Sequence, residues 1–346
     1  MDTAIQTVSK SEINLLDLLL IKRDTCINKT QIERVELNQK VNDVIDFDSA
    51  IILIGRFKFY VPKSILSQSI SICDDIVKCQ QESKDFERLS LWYEKISSIY
   101  TNINELQFMN WGYADLDEHI DDNTGYYSKK LYQQVLANIT ITDKSILEVG
   151  CGRGAGAAWC VNTYTPQSYV GIDPSQDVIN LCQRLYSTTP RLSFVVADAT
   201  KHLPFENESI DIILCIEATH AFDEPIATTQ FANEVVRVLR PNGYLLWCDF
   251  CYMDGSGTST YDLIANDELI IEEKINITKN VLHALDIQNK SRTDFIQRYI
   301  QLEEQEYFRR FAGLPGTQIY EDMSQGRSQY WRVVFRKKTI TDMPII

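Results

Sequence analysis

Residues 146–154 read Ile-Leu-Glu-Val-Gly-Cys-Gly-Arg-Gly, an apolar strand that runs into glycine at every second position. Such a run commits the chain to a strand, a sharp turn and a following helix, because glycine alone turns the backbone this tightly without steric cost. The flanking sequence keeps the same rhythm. Helices are predicted over 128–139, 155–164 and 175–186, and strands over 145–149, 168–172 and 192–196. Residues 210–216 are mostly apolar, as a strand covered on both faces must be. A helix over 227–239, stopped by Arg240-Pro241-Asn242-Gly243, leads to a fifth strand over 243–250. Strands and helices alternating at this spacing imply right-handed crossovers and a mostly parallel α/β sheet. Beyond it, 269–277 reads as a strand, 278–314 as helices and 330–336 as a last strand.

The N-terminal quarter carries a weaker pattern. Ile13, Leu16, Leu19 and Leu20 have helical spacing within 9–26, and 51–60 suits a strand pair or a buried strand followed by an edge. A polar linker over 78–85 precedes a helix over 86–100 with Leu89, Trp92, Ile96 and Ile99 on one side. The expected organisation is an extension at 1–85, a main domain at 86–338 with a helical lid at about 278–314, and a tail at 339–346. Self-association through the extension is one role expected of it.

The formal net charge of −14 narrows the partners. Phosphate backbones and anionic membranes are both repelled by such a chain, so nucleic acid is not expected and a small, neutral or apolar substrate is. Nine cysteines are an odd number, which argues against a disulfide framework and for a reducing cytoplasm. Cys248 and Cys251 form the one C-x-x-C pair, without a second pair or histidine at zinc spacing, so no metal is expected. The N-terminus lacks a signal peptide's charged and apolar regions, and the apolar run 13–21 is broken by Asp17 and too short to span a bilayer. A soluble chain without membrane insertion is expected.

Parallel sheets bind ligands at the carboxyl ends of their strands. Gly150, Gly152 and Ala155 also spell Gly-x-Gly-x-x-Ala, so the loop alone suits a dinucleotide equally well. Glu148 separates the two readings. A carboxylate two residues before the first glycine repels a pyrophosphate, but it can order the loop or help hold a cationic ammonium group. Asp173 ends the second strand 23 residues after Gly150, the interval at which a carboxylate accepts ribose hydroxyls; the other role open to it is capping the next helix. Asp198 ends the third strand and could likewise be a loop cap.

Glu148 to Gly154, Asp173, Asp198 and Leu203-Pro204-Phe205 together resemble the class I S-adenosylmethionine-dependent methyltransferases. The resemblance is closer to the branch of phthiotriol/phenolphthiocerol dimycocerosate methyltransferases and related natural-product O-methyltransferases. Met109-Asn110-Trp111-Gly112-Tyr113, Glu217-Ala218-Thr219-His220, residues 277–285, Phe311-Ala312-Gly313 and residues 330–337 carry it. It spans roughly 92–338, and implies a Rossmann-like fold with a seven-stranded sheet and S-adenosyl-L-methionine as cofactor. It places the donor against Glu148, Gly150, Cys151, Gly152, Gly154, Asp173, Pro174, Asp198, Ala199, Glu217, Trp111 and Tyr113. In this reading Asp198 accepts the adenine amino group and the Ala199 N–H faces the ring. The chain departs from the branch in its N-terminal extension and in the short segment 258–267 between strands five and six.

His220 directly follows the fourth strand, where the donor's methyl group should point, and imidazole titrates in the range a general base needs. It is the expected catalytic residue, with Glu217 or Asp249 as substitutes, positioning alone as another route, and a pocket wall as its other role. Trp111, Tyr113, Tyr126 and Tyr127 are aromatic faces suited to a sulfonium, or else packing residues. Val281, Leu282, Leu285 and Ile287 are candidates for an apolar acceptor pocket or for ordinary helix packing. The leading expectation is O-methylation of a hydroxylated, apolar small molecule, with N- or C-methylation as its close relative. An NAD-dependent oxidoreductase is disfavoured by Glu148, Asp198 and the absence of Tyr-x-x-x-Lys after strand four. A non-catalytic interaction module on the same fold is the third reading.

Overall fold

The computed structural model describes residues 107–120, 125–222, 225–252 and 259–339, together with the backbone of three strands nearer the N-terminus. Residues 1–85 and 86–346 cluster as two compact units. In the first, β1 (Arg34–Glu36), β2 (Ser49–Ile54) and β3 (Phe57–Pro62) pair antiparallel in that order. The strand pair expected over 51–60 is β2 with β3, Ile54 lying opposite Phe57. The helices expected over 9–26 and 86–100, the linker, and any surface for self-association fall outside the described residues.

The second unit is a three-layer α/β sheet structure. Its elements are α1 (Tyr126–Leu136), β4 (Ser145–Val149), α2 (Ala155–Tyr164), β5 (Ser168–Asp173), α3 (Gln176–Leu185) and β6 (Leu192–Val196). Then come β7 (Ile210–Ile216), α4 (Pro225–Val238), β8 (Leu239–Tyr252), α5 (Thr260–Ile264), β9 (Leu269–Asn276), α6 (Thr278–Tyr299), α7 (Leu302–Phe311), α8 (Gln318–Ser324) and β10 (Ser328–Lys337). The strand order is β6-β5-β4-β7-β8-β10-β9, and β10 alone runs against its neighbours. The order reverses at β4, which leaves a crevice at the carboxyl ends of the central strands.

Successive side chains of β4 feed opposite cores. Ile146 packs with Leu131 and Val135 of α1 and with Val281 and Leu285 of α6. Leu147 packs on the other face with Phe231 and Val235 of α4. Strands buried on both faces must be apolar nearly throughout, which is what 146–149 and 210–216 supply. Cys248 and Cys251 likewise face opposite cores, so they cannot chelate one ion together.

The boundary after α4 differs from expectation. The helix ends at Val238 and β8 begins at Leu239, which already pairs with Ile210. The next paired residue is Tyr244 with Ile212, so Arg240-Pro241-Asn242-Gly243 bulges within the strand instead of preceding it. Asn242 takes φ +62° there, a conformation asparagine tolerates better than most residues. The short helices α5 and α8 had no counterpart in the sequence pattern. Among the described residues, no helix is long and apolar enough to cross a membrane.

Candidate active site

A cavity of about 910 Å³ opens at the carboxyl ends of the central strands, large for a small-molecule site. The turn after β4 brings Gly150, Cys151, Gly152 and Gly154 to its wall, and Asp173 and Pro174 follow β5. Asp198 and Ala199 follow β6, Glu217 and His220 follow β7, and Phe250 and Tyr252 end β8. Gly150 sits at φ +68°, and a Cβ there would lie 2.7 Å from that of Ala218. A Cβ on Gly152 would meet Met109 Sδ at 3.2 Å. The loop backbone therefore forms the cradle itself, closed on one side by residues 107–111.

Two expected donor contacts stand away from the wall. Glu148 is buried beneath the loop, its oxygens accepting hydrogen bonds from the hydroxyls of Tyr132 (2.5 Å) and Tyr169 (2.9 Å). Burial pushes its pKa up to about 7 against the opposing pull of those two hydroxyls. Its position belongs to the ordering role and not to contact with an ammonium group. Tyr113 packs against the α1 side of the core, and Tyr127 donates to the Ile120 carbonyl; neither lines the cavity, nor does Tyr126.

Asp173 accepts from the Ser175 N–H at 3.0 Å and lies on the wall. Ser175, not Asp173, caps α3. Asp198 accepts from the N–H and hydroxyl of Thr200 and pairs with exposed Lys201 at 3.0 Å. Burial raises its carboxyl, but those partners outweigh it and hold the pKa below the usual value.

Beyond β7 a compact polar cluster forms. His220 Nδ1 lies 2.9 Å from Asp249 Oδ1, and the His220 N–H donates to Asp249 Oδ2. Asp249 is fully buried and also accepts from the Thr219 hydroxyl and the Phe250 N–H. Trp247 Nε1 in turn donates to Thr219. Burial disfavours the imidazolium, yet the Asp249 charge and hydrogen bond prevail and raise the His220 pKa. With Nδ1 directed at Asp249, Nε2 is the ring nitrogen left for a ligand.

Glu217 holds φ +50°, and its Oε1 accepts from the Trp111 N–H (2.9 Å) and the Tyr330 hydroxyl (2.5 Å). Burial raises its pKa to about 7 although both hydrogen bonds favour the carboxylate. Trp111 stacks on Phe250 with centroids 5.1 Å apart, and Phe250 stacks on His220 at 4.8 Å. Trp111 Nε1 donates to the Phe311 carbonyl at the end of α7.

Residues 278–314 reach the cavity through other side chains than expected. Val281 and Leu285 are fully buried in the core, while Leu282 and Ile287 pack against core clusters. The cavity instead receives Tyr307, Arg310 and Phe311 from α7, and Gln318 and Ile319 from α8. Sequence reading also missed Asn110 and the orienting part played by Asp249. The signal for Asp249 was present: adjacent parallel strands end level, and Ile216 pairs with Cys248.

A seven-stranded sheet of this order, with a glycine turn and acidic residues at its carboxyl edge, defines the class I methyltransferases. A methyltransferase-domain family matches residues 147–247. The phthiotriol/phenolphthiotriol dimycocerosates methyltransferase of Mycobacterium leprae is 32% identical over 251 residues, 71% of this chain and 90% of that protein. The fatty-acid O-methyltransferase of Mycolicibacterium smegmatis is 28% identical over 247 residues, 68% of this chain and 84% of its own. A putative sarcosine dimethylglycine methyltransferase from Galdieria sulphuraria shares the fold, with a TM-score of 0.59 at 14% identity over 70% of this chain and 98% of that one. The chain belongs to the S-adenosylmethionine-dependent methyltransferases, in the family of the phthiotriol/phenolphthiotriol dimycocerosates enzymes. It is an enzyme of the methyl-transfer class, and its donor is S-adenosyl-L-methionine.

Proposed function

We propose that this methyltransferase methylates a hydroxyl oxygen on an apolar small molecule such as a polyketide or lipid. The observation that carries the reading is His220 on the cavity wall, bonded to the buried Asp249 behind it. A hydroxyl is a poor nucleophile until a base takes its proton, and Asp249 fixes the tautomer that presents His220 Nε2 as an acceptor. Asp249 also stabilises the imidazolium that results. Phe250, Tyr252, Phe311 and Ile319 give the same cavity an apolar stretch for the acceptor's hydrocarbon. The family's fatty-acid O-methyltransferase relative supports oxygen as the accepting atom.

The chain's residues fit the donor. A Cβ on Gly150 would strike Ala218 and one on Gly152 would crowd Met109, so the loop presents bare backbone for a ligand to lie against, with Cys151 and Gly154 beside it. Asp173, with Pro174, holds the ribose hydroxyls; Asp198 and the Ala199 N–H hold the adenine edge; Trp111 and Glu217 close the other end. When bound, the donor supplies an electrophilic methyl carbon on sulfur, and the C–S bond breaks as the C–O bond forms. His220 receives the hydroxyl proton at Nε2, and the aromatic stack of Trp111 and Phe250 keeps its ring aligned.

The test is His220→Ala, assayed with hydroxylated lipids and polyketides and titrated with S-adenosylhomocysteine. Turnover should fall roughly a hundredfold to ten-thousandfold, with donor-site affinity little changed. In the wild type, activity should rise with pH through an imidazole titration lying above the ordinary value near 6.5, because only the neutral ring accepts a proton. Full turnover in the variant would remove His220 as the base.

A further inference from the structure

Asn110 is 8% exposed and lines the cavity, yet its Oδ1 accepts no hydrogen bond. A buried amide left unpaired costs about 1–3 kcal/mol, so such a group persists where a ligand completes it. The surrounding contacts rule out slack as the reason. The Asn110 carbonyl accepts from Arg292 at 3.1 Å and from the Ser128 hydroxyl at 3.5 Å. The next residue is fixed by three side chains: Trp111 donates its N–H to Glu217, and its carbonyl accepts from Gln288 and Arg292 of α6. The backbone of Asn110 is thus held in place at the wall while its side-chain oxygen has no partner.

Glu217 is the second half of the arrangement. Both of its donors, Trp111 N–H and the Tyr330 hydroxyl, meet Oε1, which leaves Oε2 to the cavity. One backbone step joins the two sites, because the residue after Asn110 is the one bonded to Glu217. Met109, just before Asn110, stands over Gly152, so this segment lies beside the glycine loop. The Asn110 amide oxygen and the Glu217 carboxylate are both acceptors, and together they suit a cation with several N–H groups. Glu148, which a strand-embedded carboxylate suggests for that task, has both oxygens occupied by tyrosine hydroxyls.

We infer that Asn110 and Glu217 together seat the α-ammonium group of the donor's methionyl end. The inference rests on the donor orientation set out above, with ribose and adenine at Asp173 and Asp198. The Glu217 pKa of about 7 agrees with it: an ammonium against a half-protonated carboxyl expels the proton, so loading the site near pH 7 releases protons.

The experiment compares two probes by calorimetry on the full chain: S-adenosylhomocysteine, which carries the amino-acid end, and 5′-methylthioadenosine, which lacks it. Asn110→Ala and Glu217→Gln should each weaken S-adenosylhomocysteine roughly tenfold to a hundredfold and leave 5′-methylthioadenosine unchanged. Titrations near pH 7 in buffers of different ionisation enthalpy should show proton release with the first probe in the wild type, none with the second, and none in Glu217→Gln. Equal weakening of both probes would mark a general packing defect and overturn the assignment. Unchanged S-adenosylhomocysteine affinity in Asn110→Ala would give that amide to the methyl acceptor instead. Failure of the wild type to bind either probe would remove the donor orientation along with the inference.

Discussion

Glu148 shows how far a single residue can be read. Its place two residues before the glycine turn was enough to separate a methyl-donor site from a dinucleotide site. Its partners were not legible, because Tyr132 and Tyr169 lie 16 and 21 residues away and meet it only when α1 and β5 pack against β4. The raised pKa has a consequence for stability. In the folded chain Glu148 titrates at about 7, against a usual 4.5. Below about pH 4.5 it is neutral in both states and costs nothing. Between about 4.5 and 7 the unfolded chain ionises first, so stability is lost as pH rises, and the loss levels off above the folded value. Glu148→Gln removes this titration. The variant's melting temperature relative to wild type should therefore climb from pH 5 to pH 8, as followed by circular dichroism. A pH-independent difference would mean that Glu148 is already ionised in the folded chain across this range. Of the pair proposed to activate the acceptor, His220 was legible from its place after β7. Asp249 was legible only as an alternative base, because its orienting bond requires knowing that β7 and β8 are neighbours.

At the level of elements, the strands were the most readable part: 145–149, 192–196 and 210–216 fall where the apolar runs put them. For 145–149 and 210–216, burial on both faces leaves little freedom in the limits. The Arg240–Gly243 bulge was misread because a turn signature describes local backbone, while pairing of Leu239 with Ile210 is decided by the neighbouring strand. Helix packing carries the same lesson in Gly156. Glycine inside a helix ordinarily costs about 0.5–1 kcal/mol relative to alanine, so Gly156→Ala would be expected to stabilise α2. Here a Cβ would lie 1.9 Å from Tyr132 Oη, the hydroxyl that bonds Glu148. Overpacking of this kind costs about 1–3 kcal/mol or more, which reverses the sign. Gly156→Ala should lower the melting temperature and loosen α1 against α2, with donor binding weakened through the glycine turn that opens α2. A rise in melting temperature would show that Tyr132 can move aside freely.

For the molecule as a whole, charge is the property that the fold does not localise. The cavity wall carries Asp173, Asp198 and Glu217 but also Arg153, Lys201 and Arg310, so its formal charges nearly balance. The chain nevertheless totals −14, so that excess lies outside the cavity wall. The methyl donor carries one positive charge more than its product, S-adenosylhomocysteine, because the sulfonium becomes a neutral thioether. A diffuse negative field therefore favours donor over product before any contact is made. Such a field reaches about 30 Å at 0.01 M salt and only about 3 Å at 1 M, whereas contacts within a closed cavity are screened much less. Titrations with both ligands at low and high salt separate the two sources. Donor affinity should fall more steeply with salt than product affinity, so that the donor-to-product preference narrows by a few-fold between 0.01 M and 1 M. A preference that stays constant would assign discrimination to the wall alone, and would leave the acidic surface without a part in clearing product from the site.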